Sequence, residues 1–127
     1  DIEKIAHTIY LTAIKYNVDP FLMTAMATVE SNLRINVPRS RAGAVGMFQI
    51  MPATARYLGI NPYVFKENVE GAAIFISDLL KQYNNNIEYM LGHYNGGSNP
   101  AYKIANYDET RNYVWDVTYI YNSLLNK

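Results

Sequence analysis

Apolar residues recur at three- and four-residue spacing along almost the whole chain, and this period constrains the fold more than any other feature. Ile2, Ile5, Ala6, Ile9, Ala13 and Ile14 follow it, as one buried helix face requires, with Asp1 placed to cap the first turn. Asn17-Val18-Asp19-Pro20 ends that helix and begins another, Asp19 acting as N-cap and Pro20 as the first helical residue. The second helix carries Leu22, Met23, Ala25, Met26 and Val29 and ends near Glu30-Ser31. From Asn32 to Gly46 the period vanishes. Pro38, Gly43 and Gly46 mark a loop longer than ordinary connections, and loops of that length more often carry function.

The period resumes in shorter pieces. A short apolar turn from Met47 to Met51 leads through Pro52 into a helix closed by Gly59. Asn61-Pro62 restarts the chain, and Val69, Ala72, Ala73, Ile76, Leu79, Leu80 and Tyr83 form a long amphipathic helix. Asn84-Asn85-Asn86 is a polar break before a helix of Ile87, Met90, Leu91 and Tyr94. Asn95-Gly96-Gly97-Ser98-Asn99-Pro100 reads as a second loop of strong turn chemistry. After a short segment around Ala101–Ala105, Asp108 caps a last helix running through Tyr113, Val114, Val117, Ile120, Tyr121 and Leu124. No strand alternation, internal repeat or low-complexity tract interrupts this pattern. The expected fold is an all-α single domain spanning residues 1–127.

Composition narrows the function. A chain of 14.5 kDa buries about two thirds of its surface on folding, enough for a core without staples. With no cysteine there is no disulfide framework, thiolate zinc site or Cys nucleophile. His7 and His93 are the only histidines, and neither has a paired ligand spacing, so no metal site is expected. A formal charge of zero argues against a dedicated nucleic-acid binder, and no apolar run approaches the ~18 residues of a membrane span. The zero conceals an asymmetry: Arg34, Arg39, Arg41, Arg56 and Lys66 face no acid between residues 31 and 66. That stretch would meet an anionic polymer, or it is simply a solvated loop. Tyrosine supplies 12 of the aromatics against one tryptophan. Because the chain starts at Asp1, it is expected to be processed or excised from a longer parent.

Glu30 is the candidate for chemistry. It follows Met23 and Met26 by seven and four positions, along one edge of an apolar face and near a helix C-terminus. Desolvation and the negative end of the helix dipole both disfavour its charge. A carboxyl there should titrate high, as a general acid in glycoside cleavage requires. No other Asp or Glu occurs between Glu30 and Glu67, so a two-carboxylate arrangement needs a distant partner such as Glu109.

Glu30-Ser31, then Ser40-Arg41-Ala42-Gly43-Ala44-Val45-Gly46-Met47-Phe48-Gln49-Ile50-Met51-Pro52, then Thr54-Ala55 resembles the signature of the soluble, goose-lysozyme-related lytic transglycosylases. Asn68 and Gly71, the block Tyr94-Asn95-Gly96-Gly97, and Glu109-Thr110 with Tyr113-Val114 follow in that family's order. The resemblance covers about residues 6–117. It implies a lysozyme-like domain of about seven to nine helices with a substrate cleft, no cofactor, and Glu30 as the catalytic residue. The family's substrate is the peptidoglycan glycan strand, cleaved between N-acetylmuramic acid and N-acetylglucosamine to leave 1,6-anhydromuramyl ends.

The same resemblance implies substrate contacts at Ser40, Phe48, Gln49, Met51, Tyr94, Asn95, Glu109 and Tyr113. Gln49, a lone amide in an apolar run, suits sugar hydroxyls or an N-acetyl group; a solvent-facing amide is the plainer alternative. Met51 fits a subsite or the core equally well. Tyr94 matches a tyrosine whose hydroxyl approaches the reacting sugar, Asn95 helps fix the adjacent loop, and Glu109 holds substrate or caps its helix. Two departures stand out: Met47-Phe48 replaces the usual Leu-Met, and His93 replaces the Ala before Tyr-Asn. Phe48 would present a flat ring to a sugar subsite. His93 is either a second titrating group near the cleft or a structural histidine.

A lysozyme-type muramidase using water as acceptor is the nearest competing expectation, and a non-catalytic wall-binding or assembly module is the other. The resemblance places the protein outside the cytoplasm, in the periplasm or wall or on a virion. Secretion-system or virion partners would come through the parent protein.

Overall fold

The computed structural model describes all of residues 1–127, and they form seven helices: α1 (Ile2–Lys15), α2 (Pro20–Ser31), α3 (Pro52–Leu58), α4 (Phe65–Gln82), α5 (Ile87–Gly96), α6 (Pro100–Asn106) and α7 (Asp108–Leu125). The only β-type pairing is an isolated antiparallel bridge between Val45 and Ile50. No helix is long and apolar enough to cross a membrane. The all-α expectation holds, with the helix number at the lower end of the expected range.

Local chemistry explains most boundaries. Asp1 accepts from the Glu3 N–H at 3.0 Å, and Asp19 accepts from the Phe21 N–H at 2.8 Å with Pro20 opening the helix. Asn86 accepts from the Tyr89 N–H at 3.0 Å, starting α5 after the asparagine break. Gly59 closes α3 in the left-handed conformation, φ 74°. Three boundaries depart from the sequence pattern. α4 starts at Phe65, a turn before its apolar face begins. α5 continues through Asn95 and Gly96, so these two residues are helical rather than loop. Tyr107, not Asp108, occupies the N-cap position of α7; Asp108 instead pairs with Arg111 one turn on.

The core is one apolar cluster. Leu22, Met23 and Met26 of α2 meet Ile5 and Ile9 of α1, Ile76 of α4, Met90 and Leu91 of α5 and Val117 of α7. Completely buried groups of this size each contribute about 1.5–3 kcal/mol of transfer free energy. α2 runs through the middle, packed against α7 on one side and α1 on another. The Tyr121 hydroxyl donates to Asp19 at 2.6 Å and ties the far end of α7 to the start of α2. Glu30, in the last turn of α2, therefore sits at the end of the helix with the largest share of buried residues.

Candidate active site

The chain leaves α2 by two successive left-handed residues, Asn32 (φ 55°) and Leu33 (φ 60°). A branched-chain residue such as Leu33 rarely adopts that conformation, and strain of this kind persists only where the surroundings over-determine it. Arg34 returns to the helix end, its Nε donating to the Ser31 carbonyl at 2.8 Å. The excursion then comes back towards Glu30. Ser40 and Ala44 close a tight turn through Ser40 N–H to Ala44 O at 3.0 Å and Ala44 N–H to Ser40 Oγ at 2.9 Å. Val45 and Ile50 exchange two backbone hydrogen bonds of 3.0 Å, and Gly46 to Gln49 form the loop between them.

One buried amide holds that loop. Asn68, 1% exposed in the first turns of α4, accepts from the Phe48 N–H at 2.9 Å. It also donates to the carbonyls of Val45 at 2.9 Å and Pro62 at 3.0 Å. Gly46 lies against it: a Cβ there would stand 2.5 Å from Asn68 Nδ2, and its φ of +77° already suits glycine. From the opposite side the Tyr94 hydroxyl donates to the Phe48 carbonyl at 2.8 Å. The Phe48 backbone is thus gripped from α4 and from α5.

This arrangement corrects one expectation. The Phe48 ring is 0% exposed and belongs to the core, so it cannot stack on a sugar. The apolar period of Met47 and Phe48 reports packing, and only the backbone of Phe48 belongs to the site's frame. Tyr113 is likewise buried, at 6% exposure, below the surface rather than on it.

The other expected residues come together. An open groove of about 200 Å³ is lined by Glu30, Ser40, Gln49, Met51, Tyr94, Asn95 and Glu109, with Ala42 and Ala44 between them. Met51 is 40% exposed, which favours the groove over the core. Gln49, at φ 51°, turns its Nε2 onto the Gly46 carbonyl at 2.8 Å, leaving its carbonyl oxygen unused by that bond. Asn95 accepts from the buried Thr110 hydroxyl at 2.9 Å, which joins α5 to α7 beside the groove. His93 does not line the groove. Its Nδ1 shares a 2.6 Å hydrogen bond with the Tyr83 hydroxyl, and Phe75 meets its ring edge-on. Burial first, and then Lys103, lower its pKa.

The electrostatics single out Glu30. Burial raises its pKa from 4.5 to about 7; Tyr113 pulls it down in part, and the charge of Glu109 pushes it up. The Tyr113 hydroxyl makes no hydrogen bond of good geometry with any partner, so its influence on Glu30 is that of a nearby dipole. Burial, followed by the Glu30 charge, also keeps Tyr94 and Tyr113 firmly protonated. The groove therefore holds one carboxylic acid that is partly protonated at neutrality, with the neutral phenol of Tyr94 beside it and that of Tyr113 buried below. A second carboxylate, Glu109, is exposed to solvent on the same groove.

Asn68 and Thr110 are the parts that motif reasoning undervalued. Both are polar residues on otherwise apolar helix faces, and both are buried. That mismatch was a usable signal, because a buried polar group is nearly always hydrogen-bonded to something that matters.

Three likenesses agree with this geometry. Residues 8–117 match the Transglycosylase SLT domain family. A transglycosylase of Enterobacteria phage PRD1 is 37% identical over 97 residues, covering 74% of this chain and 35% of the phage protein. The lytic transglycosylase Slt of Pseudomonas aeruginosa, solved as an inactive mutant, superimposes with a TM-score of 0.79 over 94% of this chain and 24% of that one. Its sequence identity of 24% makes this a likeness of fold. The chain spans only 35% and 24% of the lengths of these two relatives. A match across residues 8–117, with the fold to accompany it, makes this chain a member of the transglycosylase SLT domain family.

Proposed function

We propose that this domain is a peptidoglycan lytic transglycosylase that cleaves the β-1,4 bond between N-acetylmuramic acid and N-acetylglucosamine without water. The observation that carries this reading is Glu30, whose half-buried carboxyl lines an open groove and titrates at about 7. A group with that pKa can give up a proton and recover it at neutral pH, as alternating acid and base catalysis needs.

In the proposed reaction Glu30 donates its proton to the glycosidic oxygen, and the C1–O bond breaks to leave an oxocarbenium-like muramyl centre. The C6 hydroxyl of the same sugar then bonds to C1. Its proton passes to the Glu30 carboxylate, which restores the acid and leaves a 1,6-anhydromuramyl end. The 2-acetamido group stabilises the developing charge at C1. Ser40, Gln49, Met51, Tyr94 and Asn95 contact the sugars. Glu109 holds substrate at the rim, and Tyr113 tunes the acid from below. The hydrolytic alternative needs a second carboxylate to activate water; the groove lining offers Glu109 alone for that role.

The phage relative supports action outside the cytoplasm, at the wall or carried on a virion. Mass analysis of digested sacculi tests the reaction: anhydromuramyl ends, lighter by one water than reducing ends, are expected and should disappear with Glu30→Gln. Reducing muramyl ends alone would replace this reading with a muramidase.

A further inference from the structure

The interval 31–66 holds Arg34, Arg39, Arg41, Arg56 and Lys66 and no acid. None of these five is ion-paired, since the salt bridges of the molecule are Lys15–Glu70 and Arg111–Asp108. Arg39 and Arg56, though 17 residues apart in sequence, line one open pocket of about 290 Å³ together with Pro52, Asn61 and Tyr63. The Arg39 side chain is held in place, its Nε and Nη2 donating to the Gly43 carbonyl at 3.3 and 3.2 Å. Nη1 and the second Nη2 hydrogen stay free, because a guanidinium carries about five N–H donors in a fixed fork. The acidic neighbour is Glu67, whose Oε1 accepts the Asn61 N–H at 3.0 Å and which pairs with neither arginine.

The pocket adjoins the groove. Ser40 and Met51 line the groove, while the residues bonded to them, Arg39 and Pro52, line the pocket. Adjacent Cα atoms are about 3.8 Å apart, so the two depressions meet at two points of the chain. A substituent projecting from a polymer in the groove past Ser40 or Met51 would meet the pocket that Arg39 and Arg56 line. Paired guanidiniums present a geometry that fits carboxylates in bidentate fashion.

We propose that the Arg39–Arg56 pocket binds the peptide carboxylates carried by muramyl units of the strand in the groove, so that the domain prefers peptide-bearing glycan to bare glycan. This rests on peptidoglycan being the substrate. The test is binding of Glu30→Gln protein, which binds without cutting, to soluble glycan strands free of phosphate polymers, either carrying uncross-linked peptides or freed of them by an amidase with the exposed lactyl carboxylates blocked as amides. Adding Arg56→Gln is expected to weaken binding to peptide-bearing strands about fivefold, the range of an exposed ion pair, and to bare strands by less than about twofold. Arg56→Lys, which keeps the charge, should recover part of the loss, and raised salt should erase the preference. Equal losses on both kinds of strand, or none on either, would overturn the proposal, as would equally strong Arg56-dependent retention by peptide-free strands bearing phosphate polymers. Digestion by the wild-type domain reports separately: absent anhydromuramyl products with an intact Arg56-dependent preference would remove the catalytic reading and keep the pocket.

Discussion

One wall of the groove, residues 32–51, contains no helix, whereas the other is cut from the ends of α2, α5 and α7. The loop wall is positioned by backbone conformation and by polar atoms: Asn32, Leu33 and Gln49 are left-handed, and the Asn68 amide spans three backbone groups. The helical wall is positioned by apolar packing spread over the whole core, with polar ties such as Thr110 to Asn95 as additions. A wall made by packing shares its support among many contacts. A wall made by one satisfied amide concentrates that support in a single residue, because each buried partner left unpaired costs about 1–3 kcal/mol.

The largest effect expected concerns Glu30, where the two walls meet. Glu30→Gln should lower turnover on the order of 10³-fold, the range of a lost general acid, as measured by release of soluble muropeptides. Stability should move the other way. The folded pKa of about 7 lies above the ordinary 4.5, so the native state holds this proton more tightly than the unfolded chain. The resulting stability is complete below about pH 4.5 and is lost as pH rises through about 7. Glu30→Gln should thus leave urea stability little changed at pH 4 and raise it by about 3 kcal/mol at pH 8, at about 1.4 kcal/mol per pKa unit. A variant less stable than wild type at pH 8 would mean that the acid is not held against its burial.

The next two predictions set the walls against each other. Asn68→Leu removes one donor–acceptor amide: it strands the Phe48 N–H in the interior, takes the side-chain donor from the Pro62 carbonyl and leaves the Val45 carbonyl with Ile50 alone. It should destabilise the domain by about 3–5 kcal/mol, read as a drop in urea midpoint. Thr110→Val keeps the shape of the buried side chain and deletes only the bond to Asn95. About 1–2 kcal/mol is expected, with a raised KM as Asn95 loosens. Equal destabilisation by the two substitutions would break the contrast between the walls.

The same contrast governs how much of the molecule is legible in its sequence. The helical wall could be read almost directly, since a 3.6-residue period, an Asp-Pro start and an Asn-rich break each act through local physics. Glu30 was legible for the same reason: apolar spacing and the helix end together imply a raised pKa. The loop wall was recognisable as a motif but not as a geometry. Ser40, Gln49 and Met51 reach the groove because of positive φ angles and a bridge between Val45 and Ile50, none of which leaves a periodic trace. Phe48 misled because a ring in a sugar-cleaving motif suggests stacking, whereas the Asn68 and Tyr94 bonds to its backbone turn the ring inwards. Asn95 and Gly96 looked like turn residues, yet α5 carries them as its last turn. Tertiary ties such as Thr110 to Asn95 outweigh the local turn preference there.

The smallest predicted effect is the most discriminating for the acid itself. Tyr113 lowers the Glu30 pKa and Glu109 raises it. Removing the phenol with Tyr113→Phe should move the alkaline limb of the pH–rate profile upwards, while Glu109→Gln should move it downwards. The two influences also differ in medium. Glu109 is exposed and acts through water and ions, so its effect should fade as salt approaches about 1 M, where the screening length is about 3 Å. Tyr113 is buried and its hydroxyl has no partner of good geometry, so its shift should persist at the same salt. Its removal leaves no hydrogen bond broken, and thermal stability should scarcely change. Shifts in the same direction, or equal sensitivity to salt, would mean that Glu30 is tuned by something other than one buried phenol below it and one solvated carboxylate across the groove.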